Sequence, residues 1–580
     1  MEENNKALLE KVSQEHLMEF TRNISKEVRT SGSAEEWRAF QYAEERLRHF
    51  GFETNLYKRH GYISVPVSAE LEINHLEFPS ITHSMAGSTP QSGIHTDLVD
   101  VGDGTEDEFQ AKDTRGKAVL INGLATPGAV EAAERYGAAG AIFINAEYTH
   151  EMIVSTVWGN PTVDQAENYP EISVLSVNYA DGQKIRELLE KEQSAVCTLK
   201  TKVETTWCEI PTLIADYKGT VEPEKYILFS GHIDSWHYGA MDNGSANAVM
   251  LEIARIIGEE KPELYRSLKL AFWSGHSHGR YAGSALYADE NWEDLHDHCV
   301  LHLNIDSVGG KNAVVLSEGN AMKETKQIAA DAIKDITGEG FTSTRYGRAG
   351  DQSFWGPGVP SLLMGLSEQK PMDTPASAAF SKLFGGGKGG GFGWWWHTTE
   401  DTLDKISPAF LQRDCRIYLS IVLDVCMHPV LKIDQLEAVK ELEGYVESYT
   451  ENMPKLPVLQ RTKERLQSLK DSIQKLEDGF QVLDEKSETQ IRLYNQWNME
   501  ISRGLVRLNY VKENEFDHDP ASPLAPLPLL QDASRYSEEL PFRECKVIET
   551  TVIRNTNKVN FILRSLIHLS DEYHEKIIKE

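Results

Sequence analysis

The chain has 580 residues, too many for a single hydrophobic core, so about three domains are expected from length alone. A formal net charge of −30 argues against anionic partners such as nucleic acid and acidic membrane surfaces. No window approaches the ~18 uninterrupted apolar residues of a membrane span, and the six cysteines are scattered without a CxxC pair. The first stretch, MEENNKALLEKVSQEH, is polar and lacks the basic and apolar regions of a secretory signal, so a cytoplasmic address with reduced thiols is expected.

The first strongly signalled element is a helix over Ser33–Phe50. Ser33 and Glu36 have the spacing of a capping box, Gly51 suits the residue after the C-cap, and Trp37, Phe40, Leu47 and Phe50 line one face. Phe52–Val67 reads as one or two strands. A strand at Ala118–Ile121, a helix at Val130–Tyr136 closed by Gly137, a strand at Gly140–Ile144 and a strand–helix pair at Ile172–Val177 and Ala180–Leu189 follow. The GKAVLING strand, the helix and the GAAGAIFI strand make Leu71–Thr205 resemble the protease-associated domain. Such domains are inserted into peptidase cores and shape substrate access. From Cys208 to about Pro429 strands and helices alternate, which argues for a central sheet with helices on both faces. Beyond Pro429 the chain is helical. Leu466, Leu469, Ile473, Leu476, Phe480 and Leu483 form an amphipathic seam, Asp517–Leu530 is a proline-rich extended connection, and Val559–Leu569 lies in a last helix.

Four segments carry the chemistry. In YILFSGHIDSWHYGAMDNGSANAVMLEIAR an apolar strand, Tyr226–Phe229, runs into His232 and Asp234, then Asp242 and Asn243, then a helix. Ligand-binding groups in open α/β sheets sit at such strand ends. NIDSVG places Asp306 just beyond the strand Val300–Leu303, and WWWHTTEDT carries His397. Two histidines and two aspartates are a nitrogen–oxygen ligand set suited to zinc. Asp234 is near enough to orient His232, and Asp401 to orient His397. The run Gly385–Gly393 reads as a mobile loop over the site, and Trp236, Trp355 and Trp394–Trp396 as an aromatic rim. Arg280, Tyr281 and Arg348 are candidates for a clamp on a substrate carboxylate.

SGHIDS, GAMDNGSANAVMLEIAR, NIDSVG and HTTEDT, in this order, resemble the co-catalytic zinc aminopeptidases and their relatives, the glutamate carboxypeptidases and transferrin receptors. The resemblance implies a three-layer α/β/α core with a mixed central sheet (residues 1–70 and 206–430), a protease-associated α/β domain (71–205) and a C-terminal helical, dimerisation-like domain (431–580). It implies a zinc-dependent hydrolase of peptide or other amide bonds that forms a homodimer. Asp242 would bridge two sites, His232 and Asp306 would complete one, and His397 would belong to the other. The peptide bond after Asp242 would be cis. The family's Glu-Glu pair, a general base followed by a ligand, is missing from LAFWSGHSHGRYAGS. Counted from Trp273, His276 replaces the base and Ser277 the ligand; counted back from Gly283, Ser277 replaces the base and His278 the ligand. Both registers stay open. The expectation is one firmly held zinc and a second, weaker one, with His276 or His278 as base and Asp234 in support. The alternatives are a single-metal amide-processing enzyme such as the glutaminyl cyclases, or a receptor-like scaffold.

Overall fold

The computed structural model describes residues 3–192, 195–317, 319–383, 389–483 and 485–580. Its centre is the strand Glu222–His232, flanked in parallel by Arg266–Trp273 and Cys299–Asn304, with Ser361–Leu362 beyond the latter. Side chains alternate along it. Ile227 and Phe229 join one apolar cluster with the helices Gln14–Ile24, Ala34–His49, Ala246–Glu260 and Pro408–Met427. Tyr226 and Leu228 join another with Tyr287 and Leu295 on the opposite face. A strand apolar on both faces is stable only when both are covered, and this gives the three-layer core.

Two long antiparallel strands, Glu53–Ile73 and Val196–Tyr217, run unbroken from the core into the inserted domain. The boundaries expected at 70/71 and 205/206 therefore fall inside strands. In the inserted domain Ala118–Asn122, Gly140–Ile144 and Ser173–Val177 are parallel, and apolar clusters cover both their faces. The mixed sheet is continuous because Ile94–Asp100 pairs with Val196–Tyr217 on one side and Ala118–Asn122 on the other.

The first predicted helix spans Ala34–His49, with Gly51 at φ +87° beyond it. Its capping box is only half formed. Ser33 Oγ accepts from Glu36 N–H at 3.1 Å, but the Glu36 carboxylate accepts from Gly32 N–H at 2.7 Å instead of from Ser33. The C-terminal region consists of the helices Gln435–Asn452, Pro457–Gln481, Glu488–Tyr510 and Phe542–Lys579, and the predicted seam from Leu466 to Phe480 is buried within it. The bundle is tied to the core through Arg503, a buried cation that donates to the carbonyls of His296, Gly358 and Cys299. Among the described residues no helix is long and apolar enough to cross a membrane.

Candidate metal centre

His232 is the last residue of the central strand. Its Nδ1–H donates to the Asp234 main-chain carbonyl at 2.9 Å, while the nearest Asp234 carboxylate oxygen is 3.6 Å away. The expected carboxylate orienter of His232 is thus a backbone oxygen. The carboxylate of Asp234 instead holds the adjacent turn: it accepts from Ser31 Oγ at 2.7 Å, Ser277 N–H at 2.8 Å and His276 N–H at 3.3 Å. With Nδ1 protonated, His232 Nε2 is bare, 3.2 Å from Asp242 Oδ1 and 3.7 Å from Asp306 Oδ2.

Asp242 sits in a tight turn, Ala240–Ser245, and the Asp242–Asn243 bond is cis. Asn243 pins this turn to the Asp306 loop by donating to Ile305 O at 3.1 Å and accepting from Ser307 N–H at 3.0 Å. Arg29, fully buried beneath, donates to the carbonyls of Ile233, Tyr238 and Gly239. Burial works to raise the Asp234 and Asp242 carboxyls, yet the surrounding histidines in their charged form, His232 foremost, hold both below the ordinary carboxylate range.

His397 brings Nε2 to 3.0 Å from Asp242 Oδ2, so Asp242 spans the two histidines. Asp401 does not orient His397. Its carboxylate accepts the backbone N–H groups of Met241 and Asp242, each at 2.9 Å, because the Asp242 turn presents two unpaired donors to it. His397 Nδ1–H donates instead to the carbonyl of Glu151, a residue of the inserted domain, at 2.6 Å. The Glu151 side chain lies beside His237 (3.8 Å), and burial pushes its carboxyl up to about 8.

The SGHSH turn follows Gly275, whose φ of +70° lets the strand break into the short helical turn His276–Gly279. His276 stacks on His232 with ring centroids 3.7 Å apart and lies with Nε2 3.9 Å from Asp306 Oδ2. Its Nδ1–H donates to Asp351 Oδ2 at 2.9 Å. His278 lies on the other side, against Trp236 (4.5 Å), which lies 5.7 Å from His397. Its Nδ1 is 2.9 Å from Ser31 Oγ, and burial pushes its pKa down to about 4. His232, His276 and Asp306 offer three ligand atoms within 4.8 Å of one another.

The predicted clamp is not assembled. Arg280 donates to the carbonyls of Ile153 (2.5 Å) and Ser155 (3.1 Å), and Arg348 to that of Asp519 while stacking on Trp158 at 4.0 Å. Tyr281 packs against Trp158, centroids 4.4 Å apart. All three join domains, because each lies where the inserted domain meets the core. Trp355 packs in a buried cluster with Tyr510 rather than on a rim. In the glycine run, residues 385–388 lie outside the described residues. Gly390 and Gly391 donate to Gln369 O and Glu368 Oε1 at 2.7 and 2.8 Å, so this half is bound to the core and not draped over the site. Asp351, Glu151, Ser31 and His237 were not picked out from sequence. Each is a lone polar residue in a loop, with no spacing to mark it.

The residues fit zinc. His232 Nε2 and Asp242 Oδ1 are buried and without a hydrogen-bond partner, although they face each other. Buried polar atoms left this way cost stability unless something satisfies them, and imidazole nitrogen with carboxylate oxygen is a zinc donor set.

Residues 212–422 match the Peptidase family M28 profile and residues 89–185 the PA domain profile. Among curated proteins, a probable glutamate carboxypeptidase of Zea mays is 40% identical over 15% of this chain and 13% of its own. Aminopeptidase NAALADL1 of Rattus norvegicus is 31% identical over 21% of this chain and 17% of its own. Carboxypeptidase Q of Xenopus laevis is 26% identical over 34% of this chain and 44% of its own. The chain thus spans less than half the length of each of these relatives. Among solved structures, an aminopeptidase from Aneurinibacillus sp. strain AM-1 superposes with TM-score 0.54 at 22% identity, covering 73% of this chain and 96% of its own. A zinc aminopeptidase from Bacillus subtilis gives 0.54 at 21%, covering 73% and 98%. These likenesses establish the fold, with residues 212–422 similar to peptidase family M28 and residues 89–185 similar to the PA domain.

Proposed function

We propose that the protein is a zinc-dependent hydrolase of peptide bonds in which His276 stands where relatives carry a glutamate base. The observation that carries this is the convergence of His232, Asp242, Asp306 and His397 around buried, unpartnered ligand atoms. A bound zinc would polarise the substrate carbonyl and lower the pKa of water. His232, Asp242 and Asp306 would hold one ion firmly. The side of His397 offers Asp242 and a second imidazole but no further anion in the ligand group, so a second ion would bind more weakly. His276 Nε2 would take the proton of the attacking water and pass it to the leaving amine.

The direction of attack follows from which charges are free. Arg280 and Arg348 are engaged by backbone carbonyls, whereas Asp306 places a carboxylate beside His232 and His276. That balance suits a cationic amino terminus better than a terminal carboxylate, so the reading is an aminopeptidase. The exposed Phe542, Val547 and Phe561 on the last helix support a homodimer formed through the helical domain, and the acidic chain a cytoplasmic setting without nucleic acid or membrane partners.

The test is zinc content of protein purified without chelator, together with hydrolysis of a panel of aminoacyl amides and of peptides with a C-terminal glutamate. Zinc at one equivalent or more with release of N-terminal residues is expected. Protein without divalent metal and inert on both panels would make it a scaffold.

A further inference from the structure

We infer that Asp351 is the positioning residue that makes His276 a base, and that it is held in place by a hydrogen-bond chain ending on Trp158 of the PA domain. The inference rests on the reading of His276 above and goes beyond it in naming what replaces the lost glutamate: a histidine–aspartate pair.

The histidines of the centre are sorted by what holds Nδ1. His232 and His397 each donate to a main-chain carbonyl, of Asp234 and Glu151. A carbonyl fixes the tautomer and leaves Nε2 bare without adding negative charge, as a carboxylate at the same place does with added negative charge. His278 Nδ1 faces a hydroxyl, that of Ser31. His276 alone among them donates to a carboxylate, Asp351, at 2.9 Å. A carboxylate at that position fixes the same tautomer and also stabilises the imidazolium that forms when Nε2 takes a proton, the division of labour of the histidine–aspartate pair in serine hydrolases.

Asp351 is built to stay in place. It is 1% exposed. Its other oxygen accepts from Ser284 Oγ at 2.7 Å, Ser284 Oγ lies 2.9 Å from Ser353 Oγ, and Ser353 Oγ accepts from Trp158 Nε1–H at 2.9 Å. The indole can only donate and the carboxylate can only accept, and Ser284 Oγ, which also lies 3.2 Å from Tyr281 O, is nearer to Asp351, so the hydroxyl protons are directed toward Asp351. Aligned donors of this kind strengthen one another. The ring of His276 is held from two further directions, face-on by His232 and edge-on by Tyr281 at 4.9 Å, and Tyr281 itself packs on Trp158. Ser284 is the last residue of the stretch LAFWSGHSHGRYAGS, directly after Gly283, and this contact gives it a role.

In hydrolysis the water oxygen bonds to the carbonyl carbon, its proton passes to His276 Nε2, the C–N bond breaks, and the same proton leaves on the amine. Asp351 gains no proton and touches no reacting atom.

The test compares D351N, D351E, W158F and H276A by kcat, KM and bound zinc. In parallel, 15N-imidazole spectra of chelator-treated protein report the His276 tautomer, assigned with H276Q. D351N turns an amide toward Nδ1 and favours the wrong tautomer. Expected are a fall in kcat on the order of 10²–10⁴-fold with KM and zinc unchanged, a His276 proton that moves from Nδ1 to Nε2, and partial recovery in D351E. W158F loses one neutral hydrogen bond at the far end, so kcat should fall about fivefold to tenfold. If H276A is inactive while D351N keeps wild-type kcat or tautomer, the inference fails and the base reading survives. If H276A is fully active, the base reading itself fails. If D351N loses zinc in proportion to activity, Asp351 supports the metal site and the inference is overturned. An unchanged kcat in W158F would remove the PA domain from the chain.

Discussion

Arg280 separates two accounts of the same residue, a substrate clamp or a rivet between domains. Its guanidinium donates to Ile153 O at 2.5 Å and Ser155 O at 3.1 Å, and its own carbonyl accepts from Gly159 N–H at 2.7 Å. Hydrogen bonds from a charged donor contribute about 1.5–3 kcal/mol each. The two share one side chain and are not additive, so Arg280→Ala is expected to weaken docking of the 153–159 segment by about 3–4 kcal/mol. With about 1.4 kcal/mol per tenfold, local opening of that segment should rise roughly 10²–10³-fold. Hydrogen exchange read by mass spectrometry should show the loss in peptides covering 150–160 and in the partner turn at 280–284, with the helical domain unaffected. Activity should fall for every substrate alike, since Trp158 is displaced from Ser353. Wild-type exchange in 150–160, together with a KM that rises only for substrates bearing a free carboxylate, would refute this and restore the clamp.

Other outcomes follow from the same geometry. His232→Ala and Asp242→Ala should each lower bound zinc and abolish hydrolysis with circular dichroism unchanged; an active variant without zinc would contradict the ligand assignment. His83 is fully buried with Nε2 on Ser176 Oγ at 2.7 Å, and burial pushes its pKa down to about 3. The unfolded chain therefore takes up a proton below about pH 6.5 that the folded protein refuses. Its contribution is full above that pH and is lost as pH falls toward 3, at up to about 1.4 kcal/mol per pH unit. Urea unfolding at pH 7 and 5 should show a shallower pH dependence in His83→Gln, and an identical slope would exclude this histidine. Removing 432–580 strips Arg503 from the carbonyls of His296, Gly358 and Cys299, so an aggregating core is expected. A soluble, active truncation would show the bundle dispensable.

The candidate metal ligands could be picked from the sequence because each follows an apolar run. His232 ends a strand buried on both faces, Asp306 follows another, and the small residues after Asp242 mark a helix entering the core. Local patterning sets those positions, and local patterning is what a sequence displays. The partners of the imidazoles lie at sequence distances of 2, 75 and 246 residues. Two of the three are main-chain oxygens, which every residue carries and no residue type announces. The same applies to Arg280 and Arg348. Their charge drew attention as a clamp, but their actual acceptors are carbonyls that only the docking of the domains brings near. The ambiguous register of SGHSH had a similar cause. Gly275 and the left-handed Arg280 and Tyr281 let the turn place both histidines inward, and no count from either end could have chosen between them.

This places the PA domain within the site, not over it. Over ten residues, from His150 to Gly159, it donates to Trp396 O and both donates to and accepts from His397 at one end, and it donates to Ser353 at the other. His150 Nδ1 meets Trp396 O at 2.6 Å, Glu151 N–H donates to His397 O at 2.9 Å, Glu151 O holds His397 Nδ1, and Trp158 Nε1–H reaches Ser353. The segment thus holds His397 directly and reaches His276 through three intermediates, Ser353, Ser284 and Asp351. A glutamate base beside two cations needs little such support, since its charge is fixed by ionisation. An imidazole must be given its tautomer, and its protonated form must be stabilised against nearby positive charge. With His276 proposed as the base, the docking of this segment would supply the orientation that an imidazole needs and a glutamate does not.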